Sequence, residues 1–124
     1  MNRPIYINKI LEPFQKTIEV EGDKSLSIRW ALLASQAIGK SSAKNILRSA
    51  DIMNTLNCLK KLGIKIKLYK RKCIIYGHGL NKYRYKKNIT LDAGNSGTLG
   101  RLIFGLLVHS KESIKFFGDE SLSK

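Results

Sequence analysis

Two short stretches of the 124-residue chain carry residue types suited to holding an anion. The first runs Gly22, Asp23, Lys24, Ser25, Leu26, Ser27, Ile28, Arg29 and leads directly into Trp30, Ala31, Leu32, Leu33 and Ala34. The alternating segment Thr17 to Val20 precedes it, so the pattern reads strand, tight glycine turn, helix. A helix beginning there directs its free N–H groups and the positive end of its dipole outward, which attracts phosphate or carboxylate. Lys24 and Arg29 add formal charge in the same place. The second stretch is Asp92, Ala93, Gly94, Asn95, Ser96, Gly97, Thr98, followed by Arg101. Its small residues let the backbone approach an anion closely, again at a helix start. Either turn alone fits an ordinary capped helix with solvated cations. Together they suit a ligand with more than one acidic group.

A third stretch, Ala34 to Gly39 with Lys40 and Ser41, formally matches a permissive nucleotide-binding loop, and its context rejects that reading. Such a loop must follow a strand and open a helix, whereas this one closes a helix and opens a strand. His78 and His109 have no triad or metal partners nearby in the pattern and read as structural or solvated. Cys58 and Cys73 show no CxxC or Cys/His spacing, so they read as free, buried or half-buried thiols. No metal site and no cofactor site is expected.

The elements that must position the two turns follow from periodicity. Ile5 to Ile7 is a short candidate strand between Pro4 and Pro13. After the strand at 17–20 comes a helix over 25–38, with Gly39 as its C-cap, then a strand over 42–47. Ser49 is placed to cap a helix over 50–62, ended by Gly63. Ile64 to Leu68 alternates and Cys73 to Tyr76 follows a basic turn, predicting a hairpin. A charged loop, 77–88, closes a first unit of order β-α-β-α-β-β. At Ile89 the pattern restarts: strand 89–91, a Gly-containing turn, a helix over 98–109 with Arg101 in its first turn, and a strand over 113–117. The period is about seventy residues, with Arg29 and Arg101 within one position of each other. The expected organisation is a segment 1–16 belonging with another domain, then a partial domain 17–124 made of unit 17–88 and an incomplete unit 89–124.

The polarity of these elements is inverted relative to a doubly wound sheet, in which buried strands are apolar throughout and helices amphipathic. Here strands 17–20 and 64–68 alternate, while the helices are apolar almost all round: Leu26, Ile28, Trp30, Leu32 and Leu33 in one, Leu99, Leu102, Ile103, Phe104, Leu106, Leu107 and Val108 in the other. A helix apolar all round is a buried helix. The expected fold is an inside-out α/β barrel-type domain, incomplete here, with helices in the core and sheets outside.

Composition bounds the function. A 43% hydrophobic content fits one globular unit with a core. No run approaches the roughly 20 apolar residues of a membrane span and no secretory signal pattern opens the chain, predicting a cytoplasmic protein without a membrane partner. The net charge of +14 points toward nucleic acid. Nearly half of the 23 cations lie between Lys60 and Lys87, on alternating strand positions and in a loop, with no nucleic-acid motif. That distribution favours a solvated lysine-rich face. Tyr69, Tyr76, Tyr83 and Tyr85 keep a single-strand-binding surface as the alternative.

In order and spacing, Gly22 to Arg29 with Ala31 to Ala34, Asp51 before Ile52, Asp92 to Thr98 with Arg101 and Leu102, and Gly118 to Lys124 resemble the 5-enolpyruvylshikimate-3-phosphate (EPSP) synthase family. The resemblance covers the chain from about residue 17. The sister family acting on UDP-N-acetylglucosamine has Lys-Asn at the first turn, unlike Lys24-Ser25 here. The resemblance implies two domains of three β-α-β-α-β-β units each, with helices inside. It also implies a monomeric enzyme of aromatic amino-acid biosynthesis that moves the enolpyruvyl group of phosphoenolpyruvate to the 5-hydroxyl of shikimate 3-phosphate, releasing phosphate without a cofactor. By position, Lys24 would contact both substrates, Ser25 and Arg29 the phosphorylated shikimate, and Asn95, Gly97 and Thr98 the phosphoenolpyruvate. Lys24 and Asp51 would be the catalytic residues.

Four positions depart from the family pattern: Glu21 replaces a usual Pro, Ile28 a polar residue, Gly100 a larger one and Ser123 a common Arg. Lys124 falls just before the Arg-Pro that normally follows, where the Arg binds phosphoenolpyruvate. The expectation is therefore an N-terminal fragment holding half of an active site and inactive alone, the alternative being a non-catalytic remnant or basic nucleic-acid-binding module.

Overall fold

The computed structural model describes Tyr6, Gln15, Thr17 and residues 22–124. Apart from Tyr6 and Thr17, the strands expected at 5–7 and 17–20 lie outside the described residues. The elements that follow are α1 (Lys24–Gln36), β1 (Ile38–Lys44), α2 (Ala50–Lys61), β2 (Lys65–Leu68), β3 (Lys72–His78), β4 (Thr90–Asp92), α3 (Gly97–Leu107) and β5 (Lys115–Phe117).

Local chemistry sets most of these boundaries. Asp23 caps α1, its Oδ1 accepting from Leu26 N at 2.7 Å, which satisfies one of the donors a helix start leaves free. Ser96 caps α3 in the same way through Leu99 N. Gly63 ends α2 in the left-handed region, φ +89°, where a side chain would be strained.

Three expectations are corrected here. The helix over 25–38 stops at Gln36 with Ala37 as its cap, and Gly39 lies inside β1 at φ +90°. The strand expected at 42–47 is shifted to Ile38–Lys44, because its register is set by antiparallel pairing with β3, from Ile38 opposite His78 to Lys44 opposite Lys72. Ser49 precedes α2 as expected, but its side chain makes no capping bond and its buried Oγ has no partner among the described residues.

The first sheet has the order β1-β3-β2 and is antiparallel throughout; β4 and β5 form a separate parallel pair joined by α3. One face of the first sheet packs on the helices. Cys73 and Ile75 of β3 meet Ile28, Ala31 and Leu32 of α1 and Ile52, Leu56 and Leu59 of α2 in the core, which continues through Leu91, Leu99 and Ile103. Gly77 lies against the carbonyls of Ala34, Ser35 and Ala37, leaving no room for a Cβ, so β3 and the end of α1 are in backbone contact. Lys65 and Lys67 point from the other face of the sheet into water. Helices packed inward with a wet outer sheet agree with the inverted polarity read from the sequence.

The burial of the apolar helices is one-sided, however. In α3 only Leu99 and Ile103 are buried, while Phe104 is 54% and Val108 73% exposed. On α1, Leu33 is 69% exposed. Arg29, Leu32 and Leu33 of α1 and Leu102 and Leu106 of α3 line an apolar hollow of about 260 Å³ between the two helices.

Among the described residues no helix is long and apolar enough to cross a membrane. Cys58 and Cys73 are free and buried, and burial raises both thiol pKa values above the ordinary range.

Candidate functional site

The site starts at three helix N-termini. Lys24 is the first residue of α1 and Asp51 the second of α2, and their side chains form an ion pair, Nζ to Oδ2 3.0 Å. One turn further along α2, Asn54 Nδ2 donates to Ala93 O at 3.5 Å, at the turn that opens α3. The N-terminal part of α2 thus touches the start of α1 through Asp51 and the turn before α3 through Asn54. Each helix start carries the equivalent of roughly half a positive charge, which adds to that of Lys24 at the paired starts of α1 and α2.

The turn before α3 is tightly specified. Asp92 Oδ1 accepts from Gly94 N at 2.8 Å, and Gly94 sits at φ +55° with its α-carbon against the Asn54 amide. Arg101 folds back over Gly97, where a Cβ would be 3.3 Å from its guanidinium. Since α3 begins at Gly97, Arg101 opens the second turn rather than belonging to the first. Asn95 is exposed, and its Nδ2 donates to Asp119 Oδ2 at 2.7 Å.

Of the residues singled out in the sequence, Lys24 and Asp51 are in direct contact. Asn95, Gly97 and Thr98 lie together at the start of α3. Ser25 is half-buried on the first turn of α1, and Arg29 is exposed on the side of α1 that faces the apolar hollow. Two residues were not anticipated as site elements, Asn54 and Asp119. For Asp119 a signal existed: an Asp following Gly118 and preceding Leu122 by three residues is a side-chain-to-backbone turn pattern.

The lysine-rich segment forms the water-facing side of β2 and β3 and the loop after them. Lys65 Nζ lies 5.6 Å from the Tyr76 ring centroid. Tyr83 and Tyr85 are half-buried, their hydroxyls bonded to Ser35 at 2.7 Å and to Ser110. Burial raises the Tyr83 hydroxyl pKa, with the Ser35 bond opposing.

The profile of the family described as EPSP synthase (3-phosphoshikimate 1-carboxyvinyltransferase) matches residues 9–124. The chain belongs to the EPSP synthase family. It is 41% identical over 112 residues to the 3-phosphoshikimate 1-carboxyvinyltransferases of Streptococcus pyogenes serotypes M2 and M1, covering 90% of this chain and 26% of each relative. Among solved structures, an EPSP synthase from Acinetobacter baumannii superposes with a TM-score of 0.76 at 33% identity, over 86% of this chain and 24% of that one. A second structure from the same organism gives a TM-score of 0.73. The chain therefore spans about a quarter of the length of the EPSP synthases it matches, and its α/β architecture is part of the EPSP synthase fold.

Proposed function

We propose that this chain forms one wall of an active site that transfers the enolpyruvyl group of phosphoenolpyruvate to the 5-hydroxyl of shikimate 3-phosphate with release of phosphate. The observation that carries the reading is the Lys24–Asp51 pair, which joins the N-termini of α1 and α2, with Asn54 of α2 bonded to the turn before α3. Both substrates are anions and must be brought together against mutual repulsion; preorganised cations and backbone amides offset that repulsion, most strongly where water is excluded. Lys24 stands between the substrates, Ser25 and Arg29 hold the phosphorylated shikimate, and Asn95, Gly97 and Thr98 the phosphoenolpyruvate. Asp51 orients the Lys24 ammonium at the reacting centre. No cofactor enters this reading.

The open apolar faces of α1 and α3 fit the same reading, since further units of the same build would cover them. Residues 1–16 then belong with the other domain, and residues 17–88 and 89–124 are one complete and one partial unit. The assembled enzyme is a cytoplasmic monomer.

Mixing this chain with a second chain carrying the remaining three quarters of a streptococcal relative tests the reading by phosphate release from the two substrates. Turnover is expected only with both chains present, and Lys24→Ala abolishes it. Turnover by the 124 residues alone would contradict the half-site. The nucleic-acid alternative retains Tyr69 and Tyr76 for stacking. Salt-sensitive binding of single-stranded DNA, with no response to shikimate 3-phosphate, would favour it.

A further inference from the structure

We propose that Asp119 is a positioning residue: its carboxylate orients the Asn95 side chain, and with it the Asn95–Thr98 turn, toward a bound anion without touching the anion itself. This rests on the reading of that turn as an anion site.

The backbone brings the two segments together. The parallel register of β4 and β5 continues beyond Phe117, with Ala93 N donating to Phe117 O at 2.9 Å and Asp119 N to Gly94 O at 2.8 Å. Gly118 permits the approach, because a Cβ there would lie 2.9 Å from Gly94 O and 2.8 Å from Leu122 Cβ. Asp119 is then fixed from its own side. Its Oδ1 accepts from Leu122 N at 2.9 Å, Ser123 N donates to Asp119 O at 3.0 Å, and Ser123 Oγ donates to Gly118 O at 3.1 Å.

As a cap for the turn at 119–122, Asp119 needs one oxygen. The second accepts from Asn95 Nδ2 at 2.7 Å, a short charge-assisted bond. An ionised carboxylate has no donor, so Asn95 must turn its NH2 group toward Asp119, which fixes the direction of the other N–H and of Oδ1. A carboxylate beside an anion site is electrostatically unfavourable by itself. Its contribution must therefore come through geometry, by sparing the ligand the cost of ordering Asn95. The bonds from Leu122, Asn95 and Ser121 hold the Asp119 carboxyl below its ordinary pKa.

The test is nitrogen-15 NMR on the 124-residue chain, comparing wild type with Asp119→Ala and Asp119→Asn. The backbone amides of Leu59 and Ile75 report an intact core. In Asp119→Ala the Asn95 side-chain NH2 signals are expected to move to the position of a free amide. The phosphoenolpyruvate concentration needed to shift the 95–98 amides should rise about ten-fold or more. Asp119→Asn keeps one acceptor oxygen and recovers part of both effects. The response of the Lys24–Arg29 amides to shikimate 3-phosphate stays as in wild type. Unchanged Asn95 signals in a folded Asp119→Ala chain, or unchanged phosphoenolpyruvate binding, would overturn the proposal. If the wild-type chain itself gives no phosphoenolpyruvate response, the anion-site reading of the turn fails and this proposal falls with it. A wild-type response that survives loss of the Asn95–Asp119 bond overturns the positioning role alone.

Discussion

The Lys24 ammonium and the Asp51 carboxylate face each other at 3.0 Å across the first turns of α1 and α2, with Asp51 the more enclosed of the two. Half-exposed pairs of this kind add little to stability, about 0–1 kcal/mol. Lys24→Ala should therefore leave urea unfolding within about 1 kcal/mol of wild type, while weakening shikimate 3-phosphate binding by about ten-fold or more. Asp51→Asn keeps the Lys24 charge but removes the carboxylate that orients it, so it should weaken binding by less than Lys24→Ala does. Calorimetric titration of the two variants ranks the two losses, and unchanged or tighter binding by Asp51→Asn would contradict the orienting role.

Leu59 is fully buried on α2 and central to the core. Leu59→Ala should cost about 2–5 kcal/mol, since the cavity adds to the lost transfer energy. A fall in the urea midpoint without a change in slope would show this; a cost below about 1 kcal/mol would mean that the core collapses around the gap.

Gly94 combines a positive φ with contact against Asn54. Gly94→Ala should cost about 1–3 kcal/mol from backbone strain and displace the Asn54 amide. Loss of the Asn54 side-chain signal from its bonded position, with the Leu59 amide unmoved, is the expected spectrum.

The Asp119 carboxyl is held low by the bonds from Leu122 and Asn95. Its folded pKa lies below the unfolded one, so its stabilising contribution is full above the ordinary carboxylate range and disappears as pH falls through the depressed folded value. The turn at 119–122 should stay ordered at pH values where free carboxyls are already half-protonated and loosen only on further acidification. The Leu122 amide shift followed from neutral to strongly acidic pH shows where that happens, and a midpoint at or above the ordinary value would count against the bonding described.

The elements most legible in the sequence were those with both a periodic pattern and a punctuating residue. α2 was bounded within one residue by Ser49 and Gly63, and β2 by its strict alternation of Lys65, Ile66, Lys67 and Leu68. β1 was misplaced because Gly39, Lys40, Ser41 and Ser42 have little strand propensity of their own. Their conformation is imposed by β3, a tertiary effect that local reading does not register. Gly39 looked like a helix cap for the same reason, its positive φ serving the strand entry instead. For the site, the lysine and glycine turns were visible as helix starts following small residues. The bonds of Asn54 to Ala93 and of Asp119 to Asn95 were not, because each joins segments 24 or more positions apart in sequence; at Asp119 only the local turn could be read.

The backbone contact between Gly77 and the end of α1 sets an order of events during synthesis. α1 cannot bury Ile28 against β3 until the ribosome has released residues through His78. Translating the stretch from Lys24 to His78 takes about 3–10 s at roughly 5–20 residues per second. For that interval α1 has only α2 to pack on, and the side of it that meets Cys73 and Ile75 stays uncovered.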